Sequence, residues 1–233
     1  PSEGGPTRTR IGADAAICEA CLTDLFDPAS RFHGYPLVNC THCGPRYTIT
    51  KALPYDRAQT AMAPFPMCPA CARDYADPAN RRFHAEPIAC GPALDAEIEA
   101  IAACLAGGGI AAVKGLGGFH LLCDARNEAA VARLRARKAR EAKPFAVMVL
   151  NAASAALFAE VGEAERAAFE DRAAPVVLMR RREGLAPSVA PGLAHIGLIR
   201  AYTPLHWLIL HALAGKPDFA SWRDAPCDIA LVA

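Results

Sequence analysis

Pairs of cysteines separated by two residues constrain this chain more than any other feature of its sequence. Seven of the ten cysteines lie between Cys18 and Cys90, and six of the seven form the pairs Cys18/Cys21, Cys40/Cys43 and Cys68/Cys71. Two thiolates at this spacing can both reach one tetrahedral ion, because the tight turn between them points both sulfurs the same way. The pairs therefore predict that the first part of the chain binds metal.

The cysteine spacing also repeats along the chain. There are 18 residues between Cys21 and Cys40 and 18 between Cys71 and Cys90. The pattern Cys-x-Ala-Cys-x-x-Asp-x-x-Asp-Pro-Ala occurs at 18–29 and again at 68–79, and the run Arg-Phe-His occurs at 31–33 and again at 82–84. These echoes indicate a tandem duplication of a metal-binding unit of about 50 residues.

The two copies differ in their number of cysteines. The first copy offers four thiolates, and Gly44 directly after Cys43 can take the positive φ that such a turn often requires. The second copy ends in Cys90-Gly91-Pro92 and offers only three. Its fourth position could be filled by His84, by water or by nothing, and the alternative role of His84 is packing or hydrogen bonding.

Disulfide bonds are the alternative explanation for clustered cysteines. Disulfide frameworks belong to small secreted domains, and nothing in the given sequence signals export. A loop-rich unit with so few large apolar residues could not offset its ordering entropy without metal, and structural zinc supplies on the order of 10 kcal/mol. We therefore expect one or two structural zinc ions.

The pattern changes near Asp95 to alternating helices and strands. Apolar residues at helical spacing and short apolar runs predict helices at 95–106, 127–138, 153–159, 163–171 and 203–213, and strands at 110–113, 119–123, 145–150, 175–179, 196–199 and 228–232. This alternation favours an α/β fold built on a twisted sheet with helices, preceded by a small loop-rich metal-binding region.

Two features of the second part could handle anionic ligands. Gly115, Gly117 and Gly118 follow a predicted strand, where backbone amides can approach a phosphate, although a tight turn between strands explains them equally well. The segment 126–143 carries seven basic and two acidic residues. Most of these form a solvated helix face, but two or three could serve a phosphate site.

Composition excludes several classes of protein. Lys and Arg number 25 against 24 Asp and Glu, so a strongly basic nucleic-acid binder is not indicated. The longest uncharged stretches, 100–113 and 201–215, fall short of the ~20 apolar residues of a membrane span. We therefore expect a cytoplasmic protein without membrane or nucleic-acid partners. The absence of an initiator Met and the apolar final residues predict a piece of a longer protein.

Taken together, these residues resemble the HypF family of carbamoyltransferases, which act in nickel-iron hydrogenase maturation. The cysteine spacing with segments 39–46 and 81–87 is similar to the family's zinc-finger region, and segments 114–121, 137–148, 189–192 and 202–206 are similar to its YrdC-like domain. The resemblance implies a linker at 1–17, a tandem C4-type zinc-finger region at 18–93, and a YrdC-like domain binding ATP and the carbamoyl group at 94–233. It also implies that this last domain is truncated before a Ser-x-Asn segment.

The resemblance further implies an activity. A family member uses ATP, with Mg²⁺, to activate a carbamoyl group derived from carbamoyl phosphate as carbamoyl-adenylate. The group then passes to the C-terminal cysteine thiol of a partner, HypE, as the source of the hydrogenase cyanide ligands. The alternatives are a threonylcarbamoyl-adenylate synthase for tRNA modification, or a zinc-ribbon module that binds RNA.

The resemblance finally implies roles for individual residues. The Lys-x-Arg pattern of the YrdC-like domain corresponds to Lys138 and Arg140, which would be catalytic and face the triphosphate and carbamoyl oxygens. The expected nucleotide-binding residues are Lys114, Gly115, Gly117, Gly118, His120, Lys143 and Tyr202. The expected metal ligands are Cys18, Cys21, Cys40, Cys43, Cys68, Cys71 and Cys90, with His84 as the candidate for the remaining position.

Overall fold

The chain divides into two compact units, the first ending at Ala93 and the second beginning at Leu94. The computed structural model describes residues 11–233. The first ten residues of the predicted 1–17 linker lie outside the described residues.

The first unit contains two short helices, each starting directly after the first cysteine of a pair. Helix α1 is Glu19–Phe26 and follows Cys18, and helix α2 is Pro69–Ala76 and follows Cys68. The sulfur of Cys68 accepts a hydrogen bond from the amide of Cys71 and so caps α2, while Pro69 suits the first helical turn because it needs no amide partner there. The rest of this unit consists of turns, including 3₁₀ turns at 47–49 and 57–59.

The two fingers, which we define as residues 18–43 and 68–90, repeat the same backbone with a constant offset of 50 residues. The amide of Gly34 bonds the carbonyl of Leu25, and the amide of His84 bonds the carbonyl of Tyr75. Gly34 and His84 also share the left-handed conformation, with φ of 65° and 50°. The structural counterpart of His84 is therefore Gly34.

This register differs from the one predicted by matching the two Arg-Phe-His runs, which aligns His33 with His84. That pairing is wrong by one residue. The turn that follows each helix fixes the register through its hydrogen bonds, and it aligns Arg31 with Arg81. Matching letters across a short run misled the alignment, because the second run is displaced by one residue relative to the helix before it.

The second unit is a mixed sheet covered by helices, as the α/β prediction states. Its helices are α3 (Asp95–Ala106), α4 (Glu128–Arg137), α5 (Ala152–Phe158), α6 (Glu163–Glu170), α7 (Pro204–Leu213) and α8 (Phe219–Trp222). Its strands are β1 (Ala111–Lys114), β2 (Phe119–Asp124), β3 (Ala146–Val149), β4 (Val177–Arg180), β5 (His195–Arg200) and β6 (Leu231–Val232).

The strands lie in the order β1-β2-β6-β3-β5-β4. Strand β3 pairs with β5 in parallel, and the other pairs are antiparallel. Strand β6 contributes only Leu231 and Val232, between β2 and β3, and is shorter than the predicted 228–232. Helix α8 was not predicted, because four residues are too few to display a helical period.

Apolar side chains of the sheet and helices form a core in the second unit. Val147, Leu198 and Phe169 are fully buried there, and Leu134 of α4 is almost so. Burial of side chains of this size contributes roughly 1.5–3 kcal/mol each, which lets this unit fold around hydrocarbon rather than metal. Among residues 11–233, no helix has both the length and the apolar character needed to span a membrane.

Candidate functional site

Four cysteines of the first finger meet in one group. The sulfurs of Cys18, Cys21, Cys40 and Cys43 all lie within 4.8 Å of one another. The Cys18–Cys40 and Cys40–Cys43 sulfur distances are 3.7 Å and 3.8 Å. A zinc ion with four thiolates at about 2.3 Å requires sulfurs about 3.8 Å apart, so this group fits tetrahedral zinc. All four cysteines are free thiols rather than disulfides.

The backbone around Cys43 is shaped to aim its sulfur at this group. Gly44 adopts a φ of +85°, as expected from the sequence, and a Cβ there would lie 2.8 Å from the Cβ of Asn39. Arg46 donates from Nη1 to the carbonyl of Cys43 at 2.9 Å and from Nη2 to that of Cys40 at 3.1 Å. Arg46 thus fixes the turn that carries two ligands, a role that the sequence patterns did not reveal.

Three cysteines of the second finger form a smaller group. The sulfurs of Cys68, Cys71 and Cys90 lie within 4.8 Å of one another, and those of Cys68 and Cys90 are 3.4 Å apart. His84 is not in this group. Its exposed ring instead contacts the rings of Tyr75 and Phe83, with centroid distances of 4.8 Å and 4.4 Å. Among the described residues, the second group therefore consists of three thiols.

The surroundings of the cysteines favour partial ionisation before metal arrives. The hydrogen bond with Cys21 lowers the pKa of Cys18 to about 6, and the backbone amide of Cys71 lowers the pKa of Cys68 to about 7. Burial raises the pKa of Cys90 to about 11. Hydrogen bonds with the other three cysteines lower the pKa of Cys40 as well. Each group thus contains at least one thiol of lowered pKa, and metal binding must displace protons from the other members.

In the second unit, the glycine-rich segment forms the turn of a hairpin between β1 and β2. The amide of Gly115 bonds the carbonyl of Gly118 at 2.7 Å. A Cβ on Gly115 would lie 2.6 Å from the ring of His120, whereas a Cβ on Gly117 or Gly118 would meet nothing within 4 Å. Gly115 is therefore required by packing, while Gly117 and Gly118 border open space that a ligand could fill.

His120, Tyr202 and His206 form a cluster beside this turn. The Nε2 atom of His120 and the hydroxyl of Tyr202 are hydrogen-bonded at 2.8 Å. The ring of His206 lies 4.8 Å from that of Tyr202 and 5.2 Å from that of His120, measured between centroids. His206 is 1% exposed, and neither of its ring nitrogens has a hydrogen-bond partner within the described residues.

Burial sets the protonation of this cluster. It lowers the pKa of His206 to about 3 and raises that of Tyr202. It also lowers the pKa of His120, to which the positive charge of Lys138 contributes further. All three side chains are therefore neutral at physiological pH. His120 and Tyr202 are expected from the sequence, whereas His206 is not. His206 stands at the first turn of α7, where Thr203 caps the helix by accepting a hydrogen bond from the His206 amide.

The basic pattern Lys138-Ala139-Arg140 forms the C-terminal cap of α4. The amide of Arg140 bonds the carbonyl of Arg135, the amide of Ala139 bonds that of Ala136, and Ala139 is left-handed with φ of 46°. This is a Schellman cap, at which glycine is the usual left-handed residue. Lys138 is exposed, so its ammonium group is free to meet a ligand.

The two expected catalytic residues differ in how far their side chains are already engaged. Two of the three guanidinium nitrogens of Arg140 donate to backbone carbonyls, Nε to Lys143 at 3.0 Å and Nη2 to Pro144 at 2.6 Å. Arg135 also donates hydrogen bonds to this loop, at the carbonyls of Arg140 and Lys143. These arginines hold the loop in shape and leave Lys138 and Lys143 exposed on it.

Lys114 lies at the end of β1, beside the glycine turn. Its exposed side chain places Nζ 5.2 Å from the ring centroid of Phe119, which is itself 70% exposed. An exposed aromatic ring with a cation over its face is a surface on which a planar base could stack.

Comparisons with known proteins agree with this geometry. The HypF finger family model matches residues 17–50 and 67–93. The Sua5/YciO/YrdC family model, described as telomere recombination, matches residues 103–220, about half of the chain.

Whole proteins of similar sequence are carbamoyltransferases by name. The chain is 57% identical over 237 residues to carbamoyltransferase HypF of Rhizobium leguminosarum bv. viciae, covering 100% of this chain and 30% of that protein. It is 53% identical over 220 residues to carbamoyltransferase HypF of Rhodobacter capsulatus, covering 89% of this chain and 30% of that protein.

One solved structure has the same fold along nearly the whole chain. The crystal structure of full-length HypF in the phosphate- and nucleotide-bound form matches with a TM-score of 0.84 and 39% identity, covering 95% of this chain and 29% of that one. The chain thus spans about 30% of the length of the relatives it matches. With a tandem pair of HypF fingers followed by a Sua5/YciO/YrdC domain, the chain belongs to the HypF family.

Proposed function

We propose that this chain is the part of a carbamoyltransferase that carries the zinc fingers and activates the carbamoyl group with ATP. The enzyme would use carbamoyl phosphate and ATP to form carbamoyl-adenylate and pass the carbamoyl group to the C-terminal cysteine of HypE, for cyanide-ligand synthesis in nickel-iron hydrogenase maturation. The observation that carries the proposal is the joint match of fingers and YrdC-like domain to HypF proteins, one of them nucleotide-bound.

The proposed adenylation requires fixed positive charge. Water would first cleave carbamoyl phosphate into carbamate and inorganic phosphate. An oxygen of the carbamate would then attack the α-phosphorus of ATP, and the bond from that phosphorus to pyrophosphate would break. Two anions are joined and a third leaves, so cations must stabilise the charge that develops. We assign this task to the ammonium groups of Lys138, Lys143 and Lys114, which are all exposed. Mg²⁺, when bound with ATP, supplies further positive charge.

Arg140 has a different part in this proposal. Its hydrogen bonds to the carbonyls of Lys143 and Pro144 support the loop, and its remaining nitrogen would contact the substrate together with Lys138 of the same cap. A rigid cap places its charges before the substrate arrives, and such preorganisation lowers the reorganisation needed in the reaction.

The neutral cluster would line the acyl side of the pocket. His120 and Tyr202 are joined by a hydrogen bond and can reverse its direction, because each is able to donate or accept. Uncharged side chains of this kind can form hydrogen bonds with the carbamoyl amide and oxygen. Because they carry no charge, they would not attract phosphate groups to the acyl side of the pocket. Gly117 and Gly118 leave the space through which the ligand would enter.

We propose that zinc occupies the four-thiolate site of the first finger and the three-thiolate site of the second. Tetrahedral thiolate coordination is typical of structural zinc, and a closed four-thiolate site leaves no position for chemistry. The ion would add to the small apolar core of each finger, such as Ala85 and Ile88 beside Cys71 in the second finger. Free thiolates of this kind suit a reducing compartment, and we accordingly assign the protein to the cytoplasm.

A steady-state assay tests the proposed reaction. The full-length natural protein, loaded with zinc, is given ATP, Mg²⁺ and carbamoyl phosphate, and AMP and pyrophosphate are measured. We expect both products only when carbamoyl phosphate is present. Products that instead require threonine and bicarbonate would assign the chain to threonylcarbamoyl-adenylate synthesis. Salt-sensitive retention on RNA together with no AMP from any substrate would favour the RNA-binding alternative.

A further inference from the structure

An arginine of each finger reaches the metal site of the other finger. Arg31 lies in the turn after α1, in the first finger, but its Nη1 donates to the sulfur of Cys71 in the second finger at 3.1 Å. The same guanidinium group forms an ion pair with Asp74 through Nη2. One side chain thus holds both a ligand and the helix that carries it.

Arg81 of the second finger makes the equivalent contact with the first finger. Nη1 of Arg81 donates to the sulfur of Cys21 at 2.8 Å, and its Nη2 pairs with Asp24. Nη2 also donates to the carbonyl of Ala20 at 3.0 Å. Arg81 follows Arg31 by 50 residues, as Cys71 follows Cys21 and Asp74 follows Asp24. The exchange is therefore reciprocal and obeys the register of the duplication.

Each contact favours the metal-bound state of the finger that receives it. Several thiolates around one divalent ion leave a net negative charge, which a guanidinium group at hydrogen-bond distance stabilises. Cys21 and Cys71 are both fully buried, whereas Arg31 and Arg81 retain 30% and 28% side-chain exposure. Few other donors can therefore reach either sulfur, and the arginine that does so stays partly exposed to solvent.

The position of each arginine depends on the finger to which it belongs. Arg31 stands in a turn closed by the hydrogen bonds from Ser30 to Asp27 and from Gly34 to Leu25. The equivalent turn around Arg81 is closed by the bonds from Asn80 to Asp77 and from His84 to Tyr75. Fingers that rely on metal for a core lose such turns when the metal leaves, so each arginine is in place only when its own finger is loaded.

We infer that Arg31 and Arg81 couple the two metal sites, so that a metal ion in one finger raises the affinity of the other finger for its own. The inference rests on the proposed occupation of both sites. Coupling of this kind is reciprocal by thermodynamic necessity, and the exchanged arginines supply its physical route. The two fingers would therefore bind their metal ions cooperatively rather than independently.

A crossed pattern of affinities tests the inference. The apo chain and its Arg31→Gln and Arg81→Gln variants are titrated with Co²⁺ and then with Zn²⁺ against a chelating indicator. Co²⁺ spectra distinguish a four-thiolate from a three-thiolate site. We expect Arg31→Gln to weaken the three-thiolate site about tenfold, and Arg81→Gln to weaken the four-thiolate site by a similar factor.

Arg73→Gln is the matched control for charge. Arg73 lies on α2 between Cys71 and Asp74, and it is exposed, so this variant removes a positive charge near the second site without removing the exchanged contact. We expect less than a twofold change in the affinity of that site. An Arg31→Lys variant keeps the charge but cannot contact the Cys71 sulfur and Asp74 at once, and we expect an intermediate loss of metal affinity at the second site. This variant replaces Arg31→Gln in the titration if Arg31→Gln fails to fold.

A double-mutant cycle isolates the coupling itself. Cys43→Ser disables the first site, and we expect it to weaken the second site about tenfold in the natural background but not in the Arg31→Gln background. The inference is overturned if each arginine variant weakens only the site of its own finger, if Arg31→Gln and Arg73→Gln have equal effects, or if the two sites of the natural chain titrate independently. A chain that binds neither Co²⁺ nor Zn²⁺ would instead overturn the proposed metal sites.

Discussion

Gly34 and His84 hold the same backbone position in the two fingers, with φ of 65° and 50° and with their amides bonded to the carbonyls of Leu25 and Tyr75. A side chain in this left-handed conformation costs about 1 kcal/mol relative to glycine. We therefore expect His84→Gly to stabilise the second finger by about 1 kcal/mol, measured as the midpoint of thermal unfolding of the zinc-loaded chain.

The same variant decides whether His84 is a ligand. Its ring contacts Tyr75 and Phe83 rather than the sulfurs of the second site, so we expect the zinc content of His84→Gly to equal that of the natural chain. His33→Gly is the control with the opposite sign, because His33 lacks the positive φ and glycine there should cost roughly 0.5–1 kcal/mol. Loss of one zinc from His84→Gly would assign the fourth ligand to His84 after all.

Gly44, directly after the first finger, tolerates substitution poorly. Gly44→Ala would force a Cβ to within 2.8 Å of the Cβ of Asn39 at a φ of +85°. We expect a loss of roughly 2–3 kcal/mol, from combined strain and overlap, and a weaker four-thiolate site. Gly117→Ala, whose Cβ would meet nothing within 4 Å, should leave thermal unfolding unchanged. Equal effects of the two substitutions would contradict this account of Gly44.

The fold could be predicted from the sequence wherever a local signal agreed with the final packing. Asn127 caps α4 through a side-chain bond to the amide of Ala130, and Thr203 caps α7 through a bond to the amide of His206. Both helices begin within one residue of the predicted position. The grouping of the cysteines could be predicted for the same reason, since Cys-x-x-Cys encodes its geometry in four residues.

The parts of the fold and of the candidate site that could not be predicted depend on contacts between residues far apart in sequence. No local pattern indicates that Arg31 lies on Cys71, or that Arg140 turns back onto the carbonyls of its own loop. His206 is read from the sequence as an ordinary helix residue, and only its burial beside His120 and Tyr202 marks it. The register of the second finger was predicted wrongly because the match of the two Arg-Phe-His runs was used to align the fingers. The hydrogen bonds of the turn, which set the true register, are not visible in the sequence.

Buried His206 makes the stability of the second unit depend on pH. Burial and the neighbouring His120 lower its pKa from 6.5 to about 3, so only the unfolded chain takes up this proton between those values. Stability is therefore complete above pH 6.5 and falls as pH decreases below it. Between pH 6.5 and pH 5 we expect a loss of about 2 kcal/mol from this group, since each pH unit contributes about 1.4 kcal/mol.

The chain offers a selective probe and a control for this effect. Both of its tryptophans, Trp207 and Trp222, lie in the second unit, so denaturant unfolding followed by tryptophan fluorescence reports on that unit. His206→Phe removes the titrating group but keeps a buried ring, and we expect its stability to fall by about 2 kcal/mol less over the same pH range. His120, whose pKa burial also lowers, remains in both proteins. Identical pH dependence in both would rule out the role given to His206.

Lys138 should contribute to nucleotide affinity more than to stability. Its exposed ammonium group stands on the cap of α4, so Lys138→Gln should weaken binding of ATP with Mg²⁺ about tenfold, or about 1.4 kcal/mol, measured by calorimetry. Arg166→Gln, on α6 with only Glu170 as its ion-pair partner among the described residues, serves as the charge control and should bind ATP normally. Arg140→Gln should instead reduce stability by about 1 kcal/mol, because it removes bonds to two carbonyls. Equal ATP affinity of Lys138→Gln and the natural chain would exclude Lys138 from the phosphate site.

Metal removal should unfold one unit and spare the other. The fingers bury few large apolar side chains around their sulfurs, so a strong chelator should abolish the helical signal of α1 and α2 and expose the amides of 11–93 to rapid hydrogen exchange. The second unit packs Val147, Leu198 and Phe169 into a core that contains neither cysteine group, and its amides should keep their protection. Fluorescence of Trp207 and Trp222 provides the internal control and should not change. Retained protection of 11–93 in the metal-free chain would mean that the fingers hold together without an ion, because only then could their turns survive the loss of the metal.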